Sequence, residues 1–220
     1  MNASSLDPTT PKIYQFGTLA GIIAPVLFVG VFVLEGWLRS GYNSQTMFVS
    51  ELSLGPRGWI QIANFIIFAL LLFVFAWRTA GMLKGGVAAK TGPLLLAAVA
   101  TCCLLSGIFV TDPGTIFTAQ KSLHGIIHGI FGAVVFLIMP ICCFMFMRRF
   151  WNDPQWQGIR FWTLGAAIVV AAAVILLTIA TKVPLGQNAL AEWRGFIQRA
   201  AIIPYMAWLF IFALAARRSS

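Results

Sequence analysis

Charge is what this 220-residue chain has least of: only 10% of its residues are Asp, Glu, Lys or Arg, with six acids against 15 bases. Such a chain, 60% hydrophobic, cannot clothe a core in a polar shell, which excludes a water-soluble domain. Histidine is scarcer still, at two residues. His124 and His128 stand one helical turn apart on one segment, which excludes a haem held between two imidazoles, because axial ligands approach the porphyrin from opposite faces. The four cysteines, Cys102-Cys103 and Cys142-Cys143, lie inside apolar runs and have no metal-finger spacing. They read as small apolar residues of helix interiors. At 1.5 Å per residue the two pairs sit at depths about half a bilayer apart, which argues against a bridge between them.

What the chain does have is apolar length. A hydrocarbon core of about 30 Å needs roughly 20 helical residues. Six runs meet this: Phe16–Leu38, Trp59–Trp77, Pro93–Thr111, Leu123–Met147, Trp162–Thr181 and Ala200–Ala216. The expectation is an all-α polytopic bundle of six transmembrane helices spanning 16–216, with short tails at 1–15 and 217–220. The leader carries Asp7, Pro8 and Pro11, and the run after it is too long for a signal peptide and lacks a small-residue cleavage site; it reads as a cytosolic tail.

Basic residues set the orientation. Lys12, Arg78, Lys84, Lys90, Arg148, Arg149, Arg160, Arg217 and Arg218 fall on one side, accompanied only by Asp7 and Asp153. Arg39, Arg57, Lys121, Lys182, Arg194 and Arg199 fall on the other with Glu35, Glu51, Asp112 and Glu192. The positive-inside rule places the first side in the cytoplasm, both termini included, in a cell (inner) membrane. The net charge of +9 is therefore a topology signal with some affinity for anionic lipid, and nucleic acid is not expected as a partner.

The polar residues inside the runs gather toward the outer side. Glu35 has Arg39 four residues on as its expected partner. Gly17 and Gly21 read as ordinary membrane glycines, with close helix packing as the alternative. The loop from Ser40 to Gly58 carries Gly41-Tyr42-Asn43 and Val49-Ser50-Glu51-Leu52, and a short surface helix through Met47–Leu54 is expected to lie on the membrane. Gln61 and Asn64 share a face that looks into the bundle. Ser106, Asp112, His124, His128, Gln198, Arg199 and Tyr205 complete the set, and together these groups are expected to surround a cavity open to the outside.

His124 and His128 project from one helix face, His128 about 6 Å deeper, and two imidazoles so spaced can chelate an ion such as zinc. Asp112 is the expected third ligand. The alternative is a pair of hydrogen-bonding residues between helices.

Gly41-Tyr42, Ser50-Glu51-Leu52, Thr111-Asp112-Pro113, His124-Gly125-Ile126-Ile127-His128 and Gln198-Arg199 leading to Trp208 stand in an order that resembles the domain of unknown function 998 family of prokaryotic six-helix membrane proteins. That resemblance implies a fold and no established activity. A weaker likeness is to the alkaline ceramidase and progestin and adiponectin receptor superfamily. There, serine, aspartate and histidines form a zinc-dependent amide hydrolase site on seven helices with a third histidine.

Two functional classes follow. One is a metal-dependent hydrolase or related enzyme acting on a lipid: His124, His128 and Asp112 hold the metal, Glu51 is the base with Ser50 beside it, and Arg199, Asn64, Tyr205 and Gln198 bind substrate. The other is a non-catalytic lipid-binding, sensing or scaffold protein in which Glu51 or Asp112 against Arg199 plugs the outer ends of the helices. A transporter would show a repeat between the halves, and none is visible. Nothing points specifically to an isoprenoid cyclase.

Overall fold

A backbone that crosses lipid must satisfy its own N–H and C=O groups, so long apolar runs become helices. A computed structural model describes residues 12–114 and 121–218 of the chain. It contains α1 (Lys12–Leu38), α2 (Gly58–Met82), α3 (Ala88–Ile108), α4 (Leu123–Asn152), α5 (Arg160–Lys182), the short α6 (Pro184–Ala189) and α7 (Arg194–Arg218). Six of these are long and apolar enough to cross a membrane. The chain is thus an all-α bundle of six spans, with no strand among the described residues.

Most helix ends reach beyond the expected spans, the exception being α3, which stops at Ile108 rather than Thr111. Helix α3 starts at Ala88 rather than Pro93, α4 continues past Met147 to Asn152, and α7 starts at Arg194 rather than Ala200. Hydropathy marks where lipid ends, while the hydrogen-bond ladder continues into polar residues beyond it. For the same reason Lys12–Gln15 of the expected tail are already helical, as are Arg217 and Arg218. The rest of the two tails, 1–11 and 219–220, lies outside the described residues.

Helices come close where side chains are small. A Cβ added to Gly17 would stand 2.7 Å from Arg78 Cβ, and one on Gly21 would stand 2.4 Å from the Phe75 ring. These two glycines therefore seat α1 against α2, a firmer role than that of ordinary membrane glycines. At the end of the bundle that holds the α2–α3 and α4–α5 links, Phe146, Phe150, Trp156, Trp208 and Phe212 form a continuous aromatic cluster with ring centroids 4.8–5.8 Å apart. The four cysteines are free and buried.

The opposite end carries the longer loops, and here one expectation is corrected. Met47–Leu54 does not form a helix lying on a surface. Val49–Ser53 is a 3₁₀ turn whose five residues are all buried, Leu52 at 0% exposure. The turn is drawn into the bundle because side chains of α7 capture the backbone on its N-terminal side.

Candidate functional site

The first turns of α7 act as a clasp. Arg199 donates through Nη1 to the carbonyls of Ser44 (2.7 Å), Met47 (3.0 Å) and Gly195 (2.9 Å), and through Nη2 to the hydroxyl of Tyr42. Tyr42 in turn donates to Phe48 O at 2.9 Å. Burial pushes its phenol above the ordinary value, with the Arg199 charge acting the other way, so the hydroxyl stays protonated and able to donate. Arg194 donates to Thr46 O (2.6 Å) and Gly114 O (3.0 Å), the backbone N–H of Phe196 donates to Gln45 O (3.0 Å), and the side-chain oxygen of Gln198 accepts from the N–H of Val49 (2.7 Å). Carbonyls 44 to 47 all point at the N-terminus of α7, where the helix presents unpaired N–H groups and the positive end of its dipole.

Glu51 supplies a second tie. One carboxylate oxygen accepts from Phe48 N (2.8 Å) and the other from Gly114 N (2.9 Å), joining the α1–α2 loop to the α3–α4 link. Glu35 supplies a third: the expected ion pair with Arg39 is present, and Arg57 adds a closer one. Arg57 grips it with Nε and Nη2, while Arg39 Nη2 stands at 3.8 Å and its Nη1 donates to Leu54 O at 2.9 Å. A fork from the start of α2 closes on both carboxylate oxygens, a geometry that an i,i+4 neighbour on the same helix does not reach here.

Beneath this roof lies a cavity of about 560 Å³, within the usual range of small-molecule sites. Helices α4 and α7 face each other across it, its floor includes Phe28, Phe65, Met139 and Met206, and Val49 and Ser50 of the 3₁₀ turn reach it from above. Most of its wall is apolar. Polar groups of Ser50, Ser106, His128 and Gln198 line it near the loops, with Lys121 and Lys182 among the lining residues that are also exposed. A cavity is therefore present at the end of the bundle that carries the longer loops, although only part of the expected polar set lines it.

The two histidines do different things. His128 Nδ1 lies 3.1 Å from Ser106 O and 2.8 Å from Phe109 O. Both neighbours only accept, so this nitrogen carries a proton, and in the neutral ring Nε2 keeps its lone pair. His124 is exposed, its ring edge-on to Phe109 at 5.4 Å. Asp112 uses both oxygens on Ser122, accepting from its N–H (3.0 Å) and its hydroxyl (2.7 Å), while Ser122 Oγ accepts from Gly125 N and caps α4. A catalytic zinc takes three protein donors with one position open. Among the described residues no three His, Cys, Asp or Glu side chains are grouped to hold a metal, so the donor set expected for zinc is not assembled.

Other expected site residues lie elsewhere. Asn64 donates to Phe28 O (3.1 Å) and Gln61 Oε1 (3.3 Å), locking α2 to α1. Tyr205 is fully buried against Trp208, with Cys142 beside it. Neither lines the cavity. Sequence reasoning assigned no role to Arg194, Lys121 or Lys182. The available signals were Arg194, Gln198 and Arg199 clustered in the first two turns of one helix, and a lysine just outside each of two neighbouring spans.

No curated protein and no solved structure matches the chain. A family model described as protein of unknown function matches residues 22–215, almost the whole bundle with its clasp and cavity. The chain is a member of that family, DUF998.

Proposed function

We propose that this protein is a non-catalytic binder of a membrane lipid, held in the cavity beneath the clasp and exposed to the outer leaflet of the cell (inner) membrane. The distribution of basic residues supports that orientation: the clasped end carries the acids Glu35, Glu51, Asp112 and Glu192, and the opposite end carries the arginine and lysine excess. The observation that carries the binding reading is the cavity itself, apolar in its depth and polar at one end, which is the shape of an amphiphile. The enzyme reading needs free carboxylates. Both Glu51 and Asp112 are instead spent on backbone and cap bonds, which supports binding over hydrolysis.

Gly132 lines the cavity, and a Cβ placed there meets no atom within 4 Å. Gly132→Phe is expected to fill the space without disturbing the wall. Native mass spectrometry of the purified protein should find lipid on the wild type and at least about tenfold lower occupancy on the variant, a change of about 1.4 kcal/mol. A chelator should change neither. Equal lipid on both proteins would sink the binding reading, and loss of lipid or of stability on chelation would return the metal to consideration.

A further inference from the structure

The chemistry at the polar end of the cavity specifies more than a lipid. Among the described residues, the lining contains Lys121, Lys182 and His128 and no Asp or Glu. Both lysines are exposed, which puts their ammonium groups at the rim rather than in the apolar interior. The nearby carboxylates of Asp112 and Glu51 are already engaged by Ser122 and by backbone N–H groups, so the lysines at the rim favour an anion. Deeper, His128 has Nδ1 committed to the carbonyls of Ser106 and Phe109, leaving Nε2 of the neutral ring as an acceptor open to a ligand donor. Gln198 has its oxygen committed to Val49 N, leaving its amide N–H groups as donors on the cavity wall. From the rim inward, the order is therefore cation, then paired acceptor and donor, then hydrocarbon.

Resting on the lipid-binding reading above, we propose that the ligand is a lysophospholipid: one acyl chain, a glycerol with a free hydroxyl, and a phosphate. The phosphate lies between Lys121 and Lys182, the free hydroxyl donates to His128 Nε2, and the ester carbonyl accepts from Gln198. An ionised fatty acid has an anion but no donor for Nε2. A diacyl phospholipid has esterified both glycerol positions near its chains and so has no free hydroxyl there for Nε2. A monoacylglycerol has the hydroxyl and lacks the charge.

Titrating the full-length protein in maltoside detergent with 1-palmitoyl-glycerol-3-phosphate, and following bound adducts by native mass spectrometry, tests the assignment. One equivalent should bind, with monopalmitoylglycerol, palmitate and dipalmitoyl phosphatidic acid each at least about fivefold weaker, the scale of two partly solvated lysine–phosphate contacts. The double variant Lys121→Gln, Lys182→Gln alters only exposed side chains. It should bring the phosphate ligand down to the level of monopalmitoylglycerol and leave monopalmitoylglycerol itself unchanged. If the double variant binds the phosphate ligand as well as wild type does, or if palmitate or the diacyl lipid binds equally tightly, the headgroup assignment falls. If in addition Gly132→Phe still blocks every amphiphile, the cavity reading survives without it. If no amphiphile responds to Gly132→Phe, both fall.

Discussion

Gly195→Ala is expected to destabilise the protein by on the order of 3 kcal/mol, or roughly 6–12 °C in melting temperature for a chain of this size. A Cβ at this position would stand 2.3 Å from Met47 O, 2.7 Å from Ser44 O and 2.9 Å from Gln45 O. All three are backbone atoms held in place by Arg199 and by the N–H of Phe196. No side chain can swing away to make room. Either the loop lifts off α7 and leaves its carbonyls unpaired, or α7 tilts. Gly129→Ala is the control, since a Cβ there meets open space and alanine is the better helix former. The four buried free thiols provide the readout: a thiol-reactive fluorogenic dye labels them only as the bundle opens. Coincident melts for Gly195→Ala and Gly129→Ala would show that the loop does not rest on α7 as described.

The bundle was legible because lipid imposes a length and a composition that the chain meets six times over. The clasp was only half legible. That Arg199, Gln198 and Glu51 would act at one end of the bundle follows from topology. Their partners do not, because those partners are backbone groups. Nothing in the letters Ser44-Gln45-Thr46-Met47 signals that four successive carbonyls turn toward the start of α7, and a search for charge partners sends Arg199 to a carboxylate instead. The i,i+4 rule found the Glu35–Arg39 ion pair but not the closer two-bond fork, which comes from Arg57 in another element. His124 and His128 are a different case. Helical spacing brought the rings to one face, as expected, but whether two rings on one face share a ligand depends on neighbours from another helix. Here the end of α3 takes His128 Nδ1 into its own unpaired carbonyls at Ser106 and Phe109.

Arg199 gives the second large effect and separates the clasp from the cavity it covers. Arg199→Ala removes four donated hydrogen bonds and leaves the carbonyls of Ser44 and Met47 and the hydroxyl of Tyr42 facing a gap, with an expected loss of about 2–4 kcal/mol. Arg199→Lys restores the charge but not the planar fork that reaches several acceptors at once, so less than half of the loss should return. Tyr42→Phe deletes one member of the same network, and combining it with Arg199→Ala should cost clearly less than the sum of the two single changes. Lipid occupancy should fall as well, because the freed loop carries Val49 and Ser50 away from the cavity they line. Gly132→Phe, by contrast, should lose lipid while the lipid-free protein melts where the wild type does. If Arg199→Ala melted like the wild type, or if Arg199→Lys restored full stability, the guanidinium would be a surface charge beside the loop, and the fastening of α7 to the first loop would rest on Arg194, Gln198 and the backbone bond between Phe196 and Gln45.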